Sequence, residues 1–366
     1  MSNGKLIINE FMGGNFIWFH GVVEDIDDPL QLGRCRVRVF GFHTPDKQKL
    51  PTDTLPWAMP MQPVTSAAIS GVGSSPTGIL QGTHVLGFFR DGTDAQQPVI
   101  LGTFGGIPMR VAVNSGFNDP IQQYPREDYV GEQDTNRLAR GQSTGTIVES
   151  KIAATDGHAG HPTARGQREN NWDEPITPYD ARYPNNHVYE SESGHVQEFD
   201  DTPGAERIHT YHRAGTFEEI HPDGSKVIKV VGDEYELYLG KKFVHITGNT
   251  NILIGPSEGE ATENIGNLTL YVKGDADIQV DGDADLEVGK NLRANVSRQV
   301  EINSGQNMSF VAEGNIAFRS GGNFVSVSDK ETKFVSSESV TIKTDEKVNI
   351  GADDDVIVKG EKIRLN

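Results

Sequence analysis

Residues 292–323 have the sequence LRANVSRQ-VEINSGQN-MSFVAEGN-IAFRSGGN, and this pattern returns every eight positions through residue 360. The first and third residues of most units are apolar, and the fifth is usually small. The residues between them are mostly polar. Such alternation is typical of β-strands, whose successive side chains point to opposite faces. A fixed repeat length therefore predicts a stacked, repetitive β-structure.

A first series with the same spacing precedes this one and is offset from it by two residues. In the first series an apolar residue is followed two positions later by glycine, and a loop at residues 255–267 interrupts it. The offset predicts a change in pitch or cross-section of the repetitive structure near residues 288–292. The residues assigned to this octad repeat are Gly232, Gly240, Gly248, Val272, Gly274, Val280 and Gly282 in the first series, and Ile302, Phe310, Phe318, Phe334, Ile342, Ile350 and Val358 in the second.

One octad cannot bury its inner face alone, so octads must stack around a common axis. Three successive octads of one chain could form each coil of a single-chain β-helix. Alternatively, three chains could each supply one octad per layer and form an intertwined triangular prism. We favour the second arrangement, a homotrimer, because the corners of a single-chain helix usually need more specialised residues. A long preceding segment would also let separate chains converge.

The residues before the repeat, 187–221, contain short alternating runs that end in turns such as TPG and PDG. These signals predict β-hairpins. His209 and His212 lie in this part of the chain. Residues three apart in a strand point to opposite faces, so these two histidines are not expected to share a catalytic or metal site.

The N-terminal part, residues 1–113, is predicted to form a small closed β-barrel, with the OB-fold as the first choice. Its aromatic residues alternate like core residues and no basic cluster flanks them, so no nucleic-acid binding is expected. Cys35, Val37 and Val39 alternate in one run and are predicted to share a buried face. The strand-like runs are at residues 16–25, 34–43, 57–62, 84–90 and 97–104.

Residues 114–186 are rich in Gly, Asp, Asn, Gln, Arg and Pro and predict an extended linker, with Trp172 as its one large anchor. His158 and His161 have a spacing seen in metal sites, but no carboxylate or cysteine lies at a matching distance, so no metal site is predicted. Glu149 and Asp156 are expected in a polar loop, without the apolar pocket that raises the pKa of a catalytic carboxyl.

Composition and charge argue against several classes of protein. The formal net charge of −19 opposes binding to nucleic-acid phosphates. A single cysteine excludes an intrachain disulfide framework. No apolar run approaches the roughly 20 residues of a membrane-spanning helix, and the N-terminus lacks the pattern of a signal peptide. We expect neither a metal nor a cofactor.

Three stretches resemble the baseplate central spike family of T-even-type contractile phages. They are WFHGVVEDIDDPLQLGRCRVRVFGFHTP (Trp18–Pro45), LPWAMPMQPVTSAAISGVG (Leu55–Gly73) and VILGTFGGI (Val99–Ile107). The octads resemble the family's C-terminal β-helix. The resemblance implies a homotrimer in the virion tail baseplate, assembled in the host cytoplasm, with its barrel bound to a tail hub protein. It also implies a needle that is driven through the host outer membrane when the tail sheath contracts.

The resemblance has two departures. T-even members carry a lysozyme domain between barrel and needle, and residues 114–186 lack the helical periodicity and the general-acid pattern of such a domain. We therefore expect no catalytic residues and no enzymatic activity. The chain end, VIVKGEKIRLN, lacks the closely spaced His-x-His of a metal-bound tip. A separate small tip-capping protein is expected there.

Two alternatives stay open. The spike of a type VI secretion or tailocin device normally has a large hub domain ahead of the barrel, where this sequence has only 15 residues before Phe16. A glycan depolymerase or muramidase needs a groove lined by paired carboxylates, and eight-residue repeats leave little room for one.

Overall fold

The regular elements in the computed structural model of the chain are mostly β-strands, which agrees with the predicted all-β class, and the last of them ends at Lys229. It divides into two compact units, residues 1–274 and 275–366. The first unit contains a barrel, a five-stranded sheet and the beginning of the octad repeat, and the second contains the rest of the repeat. The residues that the structure describes are 16–105, 133–155, 164–165, 171–255 and 266–364.

The first five strands form a closed barrel in the order β1-β2-β3-β5-β4. Strands β3 and β5 are parallel, and the other neighbours are antiparallel. Closure leaves no free strand edge. The predicted barrel is therefore confirmed, and each predicted run contains one strand. The strands are β1 (Ile17–Asp25), β2 (Cys35–Val39), β3 (Trp57–Pro60), β4 (His84–Phe89) and β5 (Pro98–Thr103).

The barrel core is built from alternating side chains of these strands. Cys35, Val37 and Val39 are all buried in it, as predicted. Burial raises the pKa of Cys35 to about 11, so its thiol stays protonated and packs as an apolar group. The expectation that the barrel aromatics lie in the core is wrong for Phe16 and Trp18. Both are exposed, because the even-numbered residues at this end of β1 face outward.

A buried ion pair fastens the loop after β2 to the barrel. Arg38 donates from Nε to Glu24 Oε1 at 2.7 Å and also donates to the backbone carbonyls of Thr44 and Leu50. Thr52 Oγ1 donates to Glu24 Oε2 at 2.7 Å. Both charged side chains are almost fully buried, and a buried charge needs such partners to be tolerated.

Five antiparallel strands, here called the neck sheet, follow one another in sequence order. They confirm the predicted hairpins. Glycines with positive φ occupy the four connecting turns, at Gly194, Gly204, Gly215 and Gly224, where a Cβ would be strained. The strands are β8 (Asn186–Glu190), β9 (Val196–Asp200), β10 (Arg207–Tyr211), β11 (Phe217–Ile220) and β12 (Lys226–Lys229).

The segment predicted to be an extended linker contains a helix, α1 (Ile147–Thr155). Thr146 Oγ1 accepts the Val148 N–H at 3.3 Å, and Glu149 Oε2 accepts the Gly145 N–H at 2.6 Å. Such contacts satisfy the free N–H groups at a helix N-terminus. The prediction that Glu149 lies in a polar loop is therefore wrong.

The same segment also contains a short strand pair, β6 (Ala164–Arg165) and β7 (Asn171–Trp172). Asp156, His158 and His161 lie outside the described residues. The domain boundaries 1–113, 114–186 and 187–366 remain predictions.

Beyond β12 the backbone bends once every eight residues. Early bends lie at 231–232, 239–240 and 247–248, and later bends recur from 273–274 to 353–354. The octad glycines Gly232, Gly240, Gly248, Gly274 and Gly282 are each the second residue of a bend, and Val272 and Val280 directly precede one.

The predicted change in pitch or cross-section near residues 288–292 stays a prediction, although the backbone bends show no register offset there. The bends at 281–282, 289–290 and 297–298 keep the eight-residue spacing, so both sides belong to one frame. The sequence suggests an offset there because a large side chain occupies the fifth octad position at Val288 and the first octad position at Leu292. The two-residue offset lies earlier, between the bends at 247–248 and 273–274, which start 26 residues apart.

The fifth octad position carries a hydroxyl that hydrogen-bonds to the bend in several repeats. Ser304, Ser320 and Ser328 each donate from Oγ to the carbonyl three residues later, at 3.0, 3.2 and 3.1 Å. Ser336 and Thr344 accept N–H groups of the bend instead. The sequence pattern predicts only that this residue is small, and the structure adds its role in the turn.

Candidate functional site

One face of the neck sheet is apolar and exposed. Phe199 pairs with Ile208, and Ile208 pairs with Ile220, so the three side chains form a row across the sheet. Phe199 is 48% exposed and Ile208 is 46% exposed. Tyr189 and Ile228, at the two outer strands of the same face, are also exposed. This face also carries the Glu218–Lys226 ion pair, so its apolar side chains form a short row across the sheet, which is a candidate interaction surface.

The apolar side of the chain continues beyond the neck sheet. Tyr238, Ile246 and Ile254 each directly precede a bend, and all three are exposed. They are even-numbered, like Ile228 in β12. Because the repeat length is even, strand alternation keeps such residues on one side. Exposed apolar residues therefore recur from β12 into the first octads.

The octads of the second unit present the same kind of surface. Phe318 is 69% exposed, and its ring centroid lies 6.0 Å from that of Phe324 in the next repeat. The structure thus places the predicted octad residues at regular intervals along the chain, with their side chains open to solvent. These exposed residues are Val272, Val280, Ile302, Phe310, Phe318, Phe334, Ile342, Ile350 and Val358.

The opposite face of the neck sheet is covered by α1 and carries buried charges. Lys151 of α1 lies with its Nζ 2.7 Å from Glu219 Oε2, 3.3 Å from His209 Nε2 and 3.8 Å from the centre of the Phe217 ring. Thr177 Oγ1 donates to Glu219 Oε1 at 2.7 Å. These contacts join α1, the segment before β8 and two strands of the sheet.

A second carboxylate completes this buried network. Glu198 accepts from Arg207 at 2.8 Å and from Asn186 at 3.0 Å, and its Oε2 lies 2.8 Å from His209 Nδ1. Arg207 also donates to Glu219 Oε1 at 2.8 Å and so bridges both carboxylates. All five of these side chains are buried. Charged side chains that are buried away from water need hydrogen-bond and ion-pair partners of this kind.

Burial and pairing shift the pKa values of the network in opposite directions. Burial would raise the pKa of Glu219, but the Lys151 ammonium and its hydrogen bond outweigh it and lower the pKa to about 2. Burial lowers the pKa of His209, with Lys151 and Arg207 adding to the effect against the Glu198 hydrogen bond. Burial also lowers the pKa of Lys151, although Glu219 opposes this shift.

A cluster of exposed rings lies on the barrel. His20 Nε2 is 2.9 Å from His84 Nδ1, and the His20 ring centroid lies 4.8 Å from Phe40 and 4.6 Å from Phe104. Burial lowers the pKa of His20, and the neighbouring His84 lowers it further. The cluster forms a second candidate interaction surface.

Among the described residues, no group of three or more His, Cys, Asp or Glu side chains is arranged to hold a metal ion. No helix of this part of the chain is long and apolar enough to cross a membrane. The expectation that His209 and His212 do not share a site is confirmed. His209 is buried in the charged network, whereas the His212 ring centroid lies 4.5 Å from that of His195.

Comparison with known proteins agrees with the barrel. The Gp5 N-terminal OB domain family matches residues 41–192. Protein Gp5 of Vibrio phage KVP40 is 46% identical over 282 residues, which cover 69% of this chain. The chain is similar to Gp5 proteins of phages over most of its length.

This similarity to Gp5 proteins confirms the resemblance expected from Trp18–Pro45 and the other two stretches. The aligned region spans 66% of the KVP40 relative, just under two thirds of its length. The pre-baseplate central spike protein Gp5 of Enterobacteria phage T4 is 45% identical over 152 residues, 39% of this chain and 25% of that relative.

Proposed function

We propose that this chain is a structural central spike of a contractile phage tail baseplate, and that it acts mechanically rather than by catalysis. The printed name of the T4 relative, a pre-baseplate central spike protein, supports the structural role. The observation that carries the proposal is the series of exposed apolar side chains that recurs through the octads.

Three copies of the chain bury these apolar side chains against one another. Bends every eight residues suit a layer in which each chain contributes one octad and then turns to the next layer. The alternative, a single-chain β-helix, is less favoured because it would bury the inner residues within one chain, whereas Phe310 and Phe334 are exposed. Burying such side chains stabilises an assembly by roughly 25 cal/mol for each Å² of apolar area.

Sedimentation equilibrium of the full chain tests the trimer. The expected mass is three times the 40.0 kDa of one chain, with no dependence on dilution into the nanomolar range. A mass of one chain would contradict the homotrimer and favour the single-chain closure.

The two ends of the chain have different partners in this proposal. The ring cluster around His20 and Phe104 on the barrel is the surface for a tail hub protein. A small tip-capping protein covers the C-terminal end. The trimer resides in the virion tail baseplate after assembly in the host cytoplasm. Loss of hub co-purification in a Phe104→Asp variant that remains trimeric would support this assignment, and unchanged binding would contradict it.

The mechanical role follows from the repeat. Stacked, fully paired octads transmit force along their axis, and sheath contraction drives the trimer through the host outer membrane, which it contacts only briefly. No cofactor and no metal take part, and nucleic acid is not a partner. A zymogram on peptidoglycan and on capsule tests the absence of catalysis. We expect no clearing, and lysis by the purified trimer would contradict a purely mechanical spike.

A further inference from the structure

Lys151 of α1 contacts three side chains of the neck sheet, namely Glu219, His209 and Phe217. We propose that α1 is an acid-labile latch, docked on the sheet while His209 is neutral and released when His209 takes up a proton. This device goes beyond the proposed function and does not rest on it, since all its groups belong to one chain.

The protonation state of His209 follows from its two neighbours. The Lys151 ammonium can only donate hydrogen bonds, so His209 Nε2, at 3.3 Å from Lys151 Nζ, must be the bare, accepting nitrogen. The proton then sits on Nδ1 and is donated to Glu198 Oε2 at 2.8 Å. A second proton on the ring would turn the contact with Lys151 into two donors facing each other.

Charged groups approach His209 from every element around it. Lys151 comes from α1, Glu198 from β9, Arg207 from β10 itself, and Glu219, which faces His209 in the register, from β11. The segment before β8 contributes the uncharged Thr177 and Tyr179 hydroxyls. At the edge of the network, His221 Nε2 lies 3.3 Å from Glu219 Oε2, and Asp200 is opposite Arg207 in the register.

Lys151 is the side chain through which α1 enters this network. The helix also contributes Val148, which is fully buried against Leu138 and Val196. Protonating His209 sets a third cation beside Lys151 and Arg207. The group that can leave is Lys151, because Arg207 is held in the sheet by both carboxylates. Release of α1 lets Lys151 return to water.

The direction of the pH effect follows from burial, which lowers the pKa of His209 in the docked state. An imidazole in the released state has a pKa of about 6.5. Docking is therefore strongest above that value and weakens as the pH falls below it. The equilibrium constant for release rises by up to about tenfold for each unit of pH.

Hydrogen exchange followed by mass spectrometry on the full chain, from pH 8 to pH 5, tests the latch. After correction for intrinsic exchange, we expect protection of α1 amides to fall by up to about tenfold per pH unit below about 6.5. Protection of β9 and β10 should stay constant. His209→Gln keeps a donor and an acceptor but cannot gain a proton, so its α1 protection should not change with pH.

Two matched variants act as controls. His212→Gln removes an exposed imidazole of the same sheet, and His221→Gln removes the one at the edge of the network, and both should keep the response of the unmodified chain. If His209→Gln does not fold, Lys151→Met replaces it, and its α1 protection should depend less steeply on pH.

Three results would overturn the proposal. They are constant α1 protection in the unmodified chain, an undiminished response in the His209→Gln or Lys151→Met variant, and simultaneous loss of protection in α1 and in the sheet, which would mean general unfolding.

Discussion

Glu198 holds three side chains in the interior of the neck sheet, namely Arg207, His209 and Asn186. None of the three can reach water while α1 covers this face. Removing Glu198 would therefore lower stability mainly because Arg207, His209 and Asn186 would each lose a buried hydrogen-bond partner.

Replacing Glu198 by alanine should destabilise the neck sheet by about 3–5 kcal/mol, because a buried guanidinium loses a partner. Thermal unfolding of the full chain, followed by circular dichroism, measures the loss. The matched control is Glu218→Ala, since Glu218 forms an exposed ion pair with Lys226 on the other face, and such pairs contribute roughly 0–1 kcal/mol. Equal destabilisation by both changes would contradict the assignment of a structural role to the buried network.

Single residues differ in how well the sequence predicts them. The buried face of Cys35, Val37 and Val39 follows from strand alternation alone. The charged network does not follow from alternation. Alternation of apolar and polar residues predicts that the apolar face is buried, whereas in the neck sheet the charged face is buried. The turn signals that define the hairpins also define the register, so the cross-strand neighbours Glu198, His209 and Glu219 were in principle open to inference.

At the scale of elements, the octad is the unit that the sequence predicts best. Its apolar positions are exposed in one chain, and the proposed trimer buries them. Ile316 occupies a first octad position, and its neighbour Ala317 lies on the other side of the strand.

Ile316→Asp should abolish the trimer, because each layer would then bury three carboxylates without partners, at a cost of at least about 2 kcal/mol per chain. Ala317→Asp, one residue away on the outer side, should leave assembly unchanged. Sedimentation velocity separates the two outcomes. A stable Ile316→Asp trimer would show that the inward and outward positions are assigned to the wrong sides.

The five barrel strands and the hairpins follow from alternation and turn residues, but α1 does not. Among the side chains described in α1, Val148 and the charged Lys151 are the buried ones, so no apolar stripe stands out there. The available signal is Thr146-x-x-Glu149, the spacing of a helix N-terminal capping motif. Side-chain size also suggests an offset of the octads near residues 288–292, but the backbone bends keep the eight-residue spacing there.

At the scale of the whole molecule, charge and assembly oppose each other. Each chain carries a net charge of −19, and three copies around one axis repel one another. Salt screens this repulsion, with a Debye length of about 10 Å at 0.1 M. The melting temperature of the trimer should therefore rise by a few degrees between about 10 mM and 300 mM sodium chloride. A fall over this range would mean that attractive ion pairs between chains dominate.

The even spacing of the bends has a consequence for how the protein can vary in length. Removing or adding eight residues between 273 and 361 would delete or insert one layer and leave every other side chain facing as before. An odd change would turn all following apolar residues to the outside. In the proposed trimer, the length of this segment is thus adjustable in steps of eight residues.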